Sequence, residues 1–597
     1  MNDAGLRRYN RFLLLVAGLG GLLFGVDVGI IASALPYLQA TSGLNADQLS
    51  VVVAAVLLGA TISTLFAGWL ADWLGRRLLM IICGAIFVIS IPMIALSHGY
   101  GPLVLGRLCQ GVSGGLIGVV VPLYLAECLP AATRGKGTAI FQWLLTLGIV
   151  AAALAGMYFS LRVAEVAKLG NAKLLFAFKD QAWRSIFWVS MPPGLVFLVG
   201  SFFLAESPRW LYKRGRHEQA QRALERSRSL ESARVEMAEI VAAAAAEDTA
   251  RRSRHGDSLL QRKYVIPFIL ACVILALNQA TGVNTIIGYN TNILIQSGLS
   301  DVQAHWGYIV FTLVNFLVTI VGMMLVDRRG RKFLLVLGTG GVVIALVWTG
   351  LLFHRNERQA VSVVASVRQM ITPRQSMTLQ FTPALEQKLL AAQPPQVARR
   401  FAGRTASLTV IYAYGGFQFA SPVLRSDQTS KPVVVTRRSS LPANGIVAFF
   451  SNPFASLARA RAAPLVVRQA TLTPLPSERS GWIAAASLFF FMACFAIGPG
   501  IVVWLALSEL MPTRIRSQGM SIALLLNEGV STVIAAMFLP AVGQYGYAAI
   551  FFVFAGFTVV YFLVAWLWLP ETKGKRLEEI EAFFQKGPHP GRESVEA

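Results

Sequence analysis

Twelve apolar stretches of roughly 17 to 25 residues, each long enough to cross a bilayer as a helix, dominate the chain. They lie near 12–34, 50–70, 78–97, 102–124, 138–159 and 186–204, then 265–290, 306–326, 333–353, 482–508, 518–540 and 546–569. Within hydrocarbon every backbone N–H and C=O needs a partner on its own segment, so such stretches are expected as helices. The chain is 55% hydrophobic and 14% charged, too little polar surface to keep 597 residues in water. The expectation is an all-α membrane protein of twelve transmembrane helices in two six-helix bundles. The basic start (Arg7, Arg8, Arg11) and following apolar run have the outline of a signal peptide, but the run is long and carries Asp27 at its middle. An uncleaved first helix is the better reading.

Charge sets the orientation. Alternate connections carry Arg76-Arg77, Arg134 with Lys136, Arg328-Arg329 with Arg331-Lys332, and Arg514 with Arg516, while those near 35–49, 291–305 and 540–546 carry no Lys or Arg. Both termini are therefore expected in the cytoplasm, with the chain multi-pass in a cell membrane, a bacterial inner membrane. One connection, 160–183, departs from the rule with Arg162, Lys168, Lys173 and Lys179. The net charge of +23 sits in these short clusters rather than along one face, so no nucleic-acid partner is expected. Cys83, Cys109, Cys128, Cys272 and Cys494 lack metal-like spacing; neither zinc nor a disulfide framework is suggested.

The organisation read from these patterns is a first bundle (1–205), a helical cytoplasmic linker (206–264), helices seven to nine (265–353), an insertion (354–480), helices ten to twelve (481–570) and a tail (571–597). The linker interleaves Glu218, Glu225 and Glu236 with Arg222, Arg226 and Arg234, which favours solvated amphipathic helices. The insertion is far longer than an ordinary connection between packed helices. A helix-like piece at 382–400 and strand-like runs at 407–414, 432–436 and 464–472 suggest a small mixed α/β domain, and topology places it outside the cytoplasm.

Residues 68–77 read GWLADWLGRR, and at the matching place in the second half 327–332 read DRRGRK. Asp72 with Arg76 and Arg77, and Asp327 with Arg331, can tie helix ends together. Glu127 with Arg134 and Glu509 with Arg516 repeat another pairing, each carboxylate at the end of a span and each arginine seven residues later. Such pairs act as conformational latches or as helix caps with topological charge; the repetition in both halves favours latches. Asp27 and Arg107 are the charged groups placed deepest in the apolar stretches, and an unpaired charge there costs at least about 2.5 to 3.5 kcal/mol. They should pair or line a wet cavity.

The ordered runs GGLLFGVD (20–27), Gly106-Arg107, 122–127 followed by Arg134-Gly135-Lys136, ESPRWL (206–211), QATGVN (279–284), Ser508-Glu509 and PETKGK (570–575) span both halves. On them the chain resembles the sugar porter family of the major facilitator superfamily, which includes bacterial xylose–proton symporters and facilitative glucose transporters. The resemblance implies a symporter importing a monosaccharide, hexose or pentose, by alternating access. Asp27 would be its proton carrier and Arg107 the group that modulates it. Polyol or other small-solute symport is the alternative, and sugar sensing a remoter one. No catalytic constellation is visible, and no cofactor or metal is implied. The expected partners are the sugar, the proton and the lipid bilayer, with a monomer as the working unit.

The same resemblance nominates Gln142, Asn278, Gln279, Asn284, Asn315, Trp504 and Asn527 for sugar binding. Isolated amides in apolar helices also serve as interhelical glue worth about 1 kcal/mol. Three departures from the family pattern bear on the substrate: Asn278 replaces a glutamine, Gly288 an aromatic, and Glu528 a tryptophan. Glu528 either bonds a sugar hydroxyl, joins proton coupling, attracts a cationic solute, or is a neutral structural group. Ser190 replaces a helix-six carboxylate of the xylose symporter.

Overall fold

A computed structural model describes residues 3–129, 131–253, 261–428, 430–445, 447–448, 452–511, 515–573 and 583–584. Among them eleven helices are long and apolar enough to cross a membrane. The last, Arg516–Leu567, is two spans divided at Gly546, where φ is 85° and ψ 166°. This gives twelve spans. The first half holds span 1 (Asp3–Ser42), span 2 (Ala46–Leu74), span 3 (Arg76–Ala95), span 4 (Tyr100–Cys128), span 5 (Ala131–Ala167) and span 6 (Ala172–Trp188 with Met191–Phe203). The second holds span 7 (Arg262–Ala280, Val283–Gly288 and Asn290–Gln296), span 8 (Asp301–Arg329), span 9 (Arg331–Glu357), span 10 (Glu478–Ile497 with Pro499–Leu510), span 11 (516–545) and span 12 (547–567).

Several spans are longer than their apolar cores. The charged stretch 160–183 is largely helix rather than loop: span 5 runs on to Ala167 and span 6 begins at Ala172, capped by the Asn171 side chain. Span 7 breaks at Gly282, whose left-handed φ of 80° a glycine adopts without strain. Helices Pro208–Lys213, His217–Glu225 and Leu230–Ser253 form the linker.

One local device starts three spans. Gly75, Gly330 and Gly546 share nearly one conformation (φ 93°, 90° and 85°), and a Cβ on any of them would run into a carboxylate. Those carboxylates accept from the orphan N–H groups of the helix that follows. Glu206 Oε1 takes Arg76 N at 2.9 Å and Arg77 N at 3.1 Å, and Glu571 takes Arg331 N at 2.9 Å and Lys332 N at 3.1 Å. Glu357 Oε1 takes Tyr547 N at 2.6 Å. The ESPR and PETK runs thus carry equivalent caps for the two halves.

Between spans 9 and 10 an antiparallel sheet forms in the order β1 (Val361–Ser362), β7 (Leu465–Pro474), β3 (Ala406–Tyr414), β4 (Phe417–Ala420), with β5 (Leu424–Arg425) also on β3. A second ladder pairs β2 (Met377–Leu379) with β6 (Val433–Val435). Val410, Tyr412, Phe417, Val467 and Leu472 build a separate core there. The helix-like piece is two helices, Pro383–Ala391 and Pro395–Ala398, because Pro394-Pro395 removes the donors that would continue the first. This unit hangs from the second half yet bonds to the first: Lys431 N donates to Ala40 O at 2.8 Å, and Ala420 N to Asp47 Oδ2 at 3.2 Å. Arg425 Nη1 reaches Ile295 O of span 7 at 3.1 Å.

At the end of the bundles that carries this insertion, one apolar cluster runs through both halves, joining Ile30, Leu35, Leu49 and Ile186 to Ile293, Tyr308, Leu346 and Phe538. At the linker end each half has its own, around Phe87, Val121 and Phe141 in one and Leu275, Leu335 and Val503 in the other. Span 2 packs along span 11 and span 5 along span 8. The insert-bearing end is closed.

Candidate functional site

Asp27 and Arg107 are each 1% exposed, on spans 1 and 4. Asp27 Oδ1 lies 3.9 Å from Arg107 Nη1, whose closer bond is donated to Gln110 Oε1 at 2.7 Å. The guanidinium carbon sits 5.5 Å from the centre of the Phe187 ring on span 6. A Cβ at Gly114 would stand 3.0 Å from Asp27 Oδ2, so the glycine leaves room for the carboxyl. The pair is held together by position rather than by a direct hydrogen bond, and Asp27 Oδ1 has no hydrogen-bond partner among the described residues.

The nominated amides fall on facing surfaces. Asn284 Nδ2 donates to Ser531 Oγ of span 11 at 2.9 Å, and Tyr289 Oη to Ala535 O at 3.1 Å. Asn527, Ser531 and Ala535 are four residues apart, so they share the side of span 11 that meets span 7. Thr532 Oγ1 lies 3.1 Å from Thr61 Oγ1 of span 2 and donates to Glu528 O at 2.9 Å. Glu528, one turn from Thr532, is therefore on the side of span 11 that faces the first half. Its Oε1 accepts from Asn527 Nδ2 at 3.2 Å, and among the described residues no cation pairs with it.

Across the interface the ring of Trp143 lies 5.5 Å from Phe316. Gln142 and Asn315, each one residue earlier on spans 5 and 8, are half-buried on neighbouring turns, and Asn315 Oδ1 accepts from Thr319 at 3.5 Å. Trp504 of span 10 is 43% exposed. Oxygens of Asn278, Gln279 and Asn527 are buried without a hydrogen-bond partner. Buried acceptors left open in this way suit a ligand rich in donors.

Sequence reasoning missed Asn290. It is fully buried with both amide atoms unpartnered. The signal was its place in a run of three asparagines, 284, 290 and 292, through an otherwise apolar segment.

At the linker end Glu127 meets Arg76. Arg76 Nε lies 2.9 Å from Glu127 Oε2, its Nη2 3.0 Å from Asp72 Oδ1, and Ser207 Oγ donates to Glu127. In the second half Arg331 Nη2 lies 3.2 Å from Glu509 Oε1, and Thr572 Oγ1 donates to Glu509. Arg77 donates its backbone N–H to Glu206. The side chains of Arg134, Asp327 and Arg516 lie outside the described residues. The repeated motifs thus bond spans within each half.

The fold and this polar interface define a multi-pass membrane transporter of the major facilitator type. A family model described as "Sugar (and other) transporter" matches residues 13–372 and 460–584, and the chain belongs to that family. The chain is 27% identical to inositol transporter 4 of Arabidopsis thaliana over 97% of its own length and 92% of the relative's. It is 27% identical to the human proton myo-inositol cotransporter (95% and 81%) and 31% identical to the glucose transporter GlcP of Staphylococcus epidermidis (57% and 73%). In fold it is similar to the inward-open xylose transporter XylE of E. coli, with a TM-score of 0.61 at 21% identity over 95% of this chain and 98% of that one.

Proposed function

We propose that the protein is a proton-coupled symporter that imports a monosaccharide into the cytoplasm by alternating access, working as a monomer with both termini cytoplasmic and the insertion outside. The observation that carries proton coupling is the buried, loosely paired Asp27. A carboxylate this deep with one cation at 3.9 Å is poorly compensated, so a small rearrangement of Arg107 suffices to change whether the ionised or the neutral form is favoured. In this reading Asp27 takes a proton from the outside, and its release to the cytoplasm follows the change of access.

The sugar is held between the halves by Gln142, Asn278, Gln279, Asn284, Asn315 and Asn527, with Trp504 offering a ring face and Glu528 accepting from a hydroxyl. The latch groups Asp72, Arg76, Arg77, Glu127, Arg134, Asp327, Arg331, Glu509 and Arg516 stabilise one access state at the linker end. A cyclic polyol is the second reading, favoured by near full-length similarity to proteins named as inositol transporters. Both readings are tested by uptake into proteoliposomes of xylose, glucose and myo-inositol, with and without an inward proton gradient. Gradient-driven accumulation of one of them is expected; equal uptake with and without the gradient would sink symport.

A further inference from the structure

His305 sits at the insert-bearing end of span 8, fully buried where the two halves meet. Its Nε2 lies 3.3 Å from the carbonyl oxygen of Ser33 on span 1. Its Nδ1 lies 2.9 Å from the carbonyl oxygen of Asp301, with Asp301 Oδ1 at 3.7 Å. The ring stacks on Tyr37 at 5.8 Å between centroids and 11° between planes. On the span 5 side, a Cβ at Gly156 would come within 3.1 Å of His305 Cδ2, so the packing is tight there.

Among the described residues both ring nitrogens therefore face acceptors alone. A neutral imidazole has one N–H and one lone pair, and in this seat its lone pair would be set against a carbonyl oxygen. An imidazolium donates to both, and its charge lies beside the Asp301 carboxylate. The other groups around it fit that assignment. Tyr37 Oη of span 1 and Ser160 Oγ of span 5 each donate to Asp301 Oδ2 at 2.7 Å, so the carboxyl oxygens act as acceptors. Lys179 of span 6 interacts electrostatically with Asp301 and with Asp427 of the insertion, so the Asp301 carboxylate also faces a lysine.

We propose that His305 is a second proton-binding site, distinct from Asp27, whose protonated form bonds span 8 to span 1 and holds the insert-bearing end closed. Ser33 and Asp301 belong to different halves, so opening that end separates the two acceptors. The separated imidazole can then be neutral, with water as partner. A proton bound more tightly in the closed form shifts the equilibrium toward it by the difference in affinity. One linked proton changes the closed-to-open ratio by up to about tenfold per pH unit. His305 touches no proposed substrate group; it is a positioning residue.

The test uses the full chain in nanodiscs with no pH gradient, in a background lacking its five cysteines. Spin labels at the exposed positions Leu169 and Tyr545, on insert-bearing turns of opposite halves, report opening between about pH 5 and 8. The short-distance population should fall as pH rises in the parent, and His305→Gln should lessen that slope to the same extent in the parent and in an Asp27→Asn background. Nitrogen-15 spectra of histidine-labelled, unsubstituted protein, assigned by the loss of one signal in His305→Gln, should show both ring nitrogens protonated in the closed form. A pH-independent parent, an unchanged slope in His305→Gln, or a bare ring nitrogen in the closed form would each overturn the proposal. The Asp27→Asn arm keeps its failure distinct from failure of the proton-carrier reading.

Discussion

Arg107 stands 3.9 Å from Asp27 Oδ1 while giving its 2.7 Å bond to Gln110, and both members of the ion pair are 1% exposed. A buried carboxylate left this far from its only near cation among the described residues is cheaper to neutralise than one in a tight bidentate pair. Asp27→Asn keeps the shape and removes the titration. It should abolish accumulation driven by a proton gradient and leave substrate exchange across the membrane intact. Counterflow beside uphill uptake checks this, and undiminished uphill uptake would refute the assignment of Asp27.

Arg76 contacts two carboxylates of very different exposure. Glu127 has a side chain 11% exposed, and Asp72 one 75% exposed. Glu127→Ala leaves a buried guanidinium without its enclosed partner and should cost about 3 to 5 kcal/mol. Asp72→Asn removes a screened contact and should cost at most about 1 kcal/mol. Thermal unfolding in one detergent would rank the two; similar losses would contradict the geometry.

Asn284 holds Ser531 at 2.9 Å across spans 7 and 11. If it also binds a hydroxyl, Asn284→Ala should weaken substrate by about 1 to 3 kcal/mol, roughly fivefold to 150-fold in KM. A pure glue role predicts lowered stability with KM unchanged. Measuring both separates the two roles.

Glu528 has no cation beside it among the described residues, so Glu528→Gln should fold normally. If the group bonds a hydroxyl, Glu528→Gln should retain uptake and Glu528→Leu should lose affinity. Equal affinity in the two variants would assign Glu528 to structure alone.

Glu206, beyond the end of span 6, has its carboxyl pushed above the usual value of 4.5 by burial, with the N–H groups of Ser207, Arg77 and Arg76 opposing the shift. A folded-state value above the unfolded one means stability that is full below about 4.5 and declines as pH rises through the folded value. Glu206→Gln should flatten that part of the stability profile. Melting temperatures of both proteins at pH 4.5 to 7 would show it, and parallel profiles would count against it.

Much of the architecture was legible in the sequence because its causes are local. Membrane length forces helices wherever apolar runs are long enough, and the β-strand runs near 407–414, 432–436 and 464–472 appear as β3, β6 and β7. Helix ends were less legible. Span 5 continues past its apolar core through Arg162 and Glu165, which pair at 3.1 Å on its surface. The three capping carboxylates were invisible as caps because each lies far along the chain from the helix it starts, 130 residues in the case of Glu206 and Arg76.

The site divides in the same way. The sequence by itself determined that polar groups stand in apolar helices, at 27, 107, 142, 278, 279, 284, 315, 527 and 528, since burying them without use would only cost free energy. Which of them meet was decided by tertiary packing. Arg76, 51 positions from Glu127, is a partner that spacing along the chain does not suggest, and Glu528 faces the first half because Thr532, one turn on, meets Thr61 there. His305 is the extreme case. In sequence it is one histidine near the start of a span, and its proton-holding geometry exists only where Ser33 of the other half closes over it.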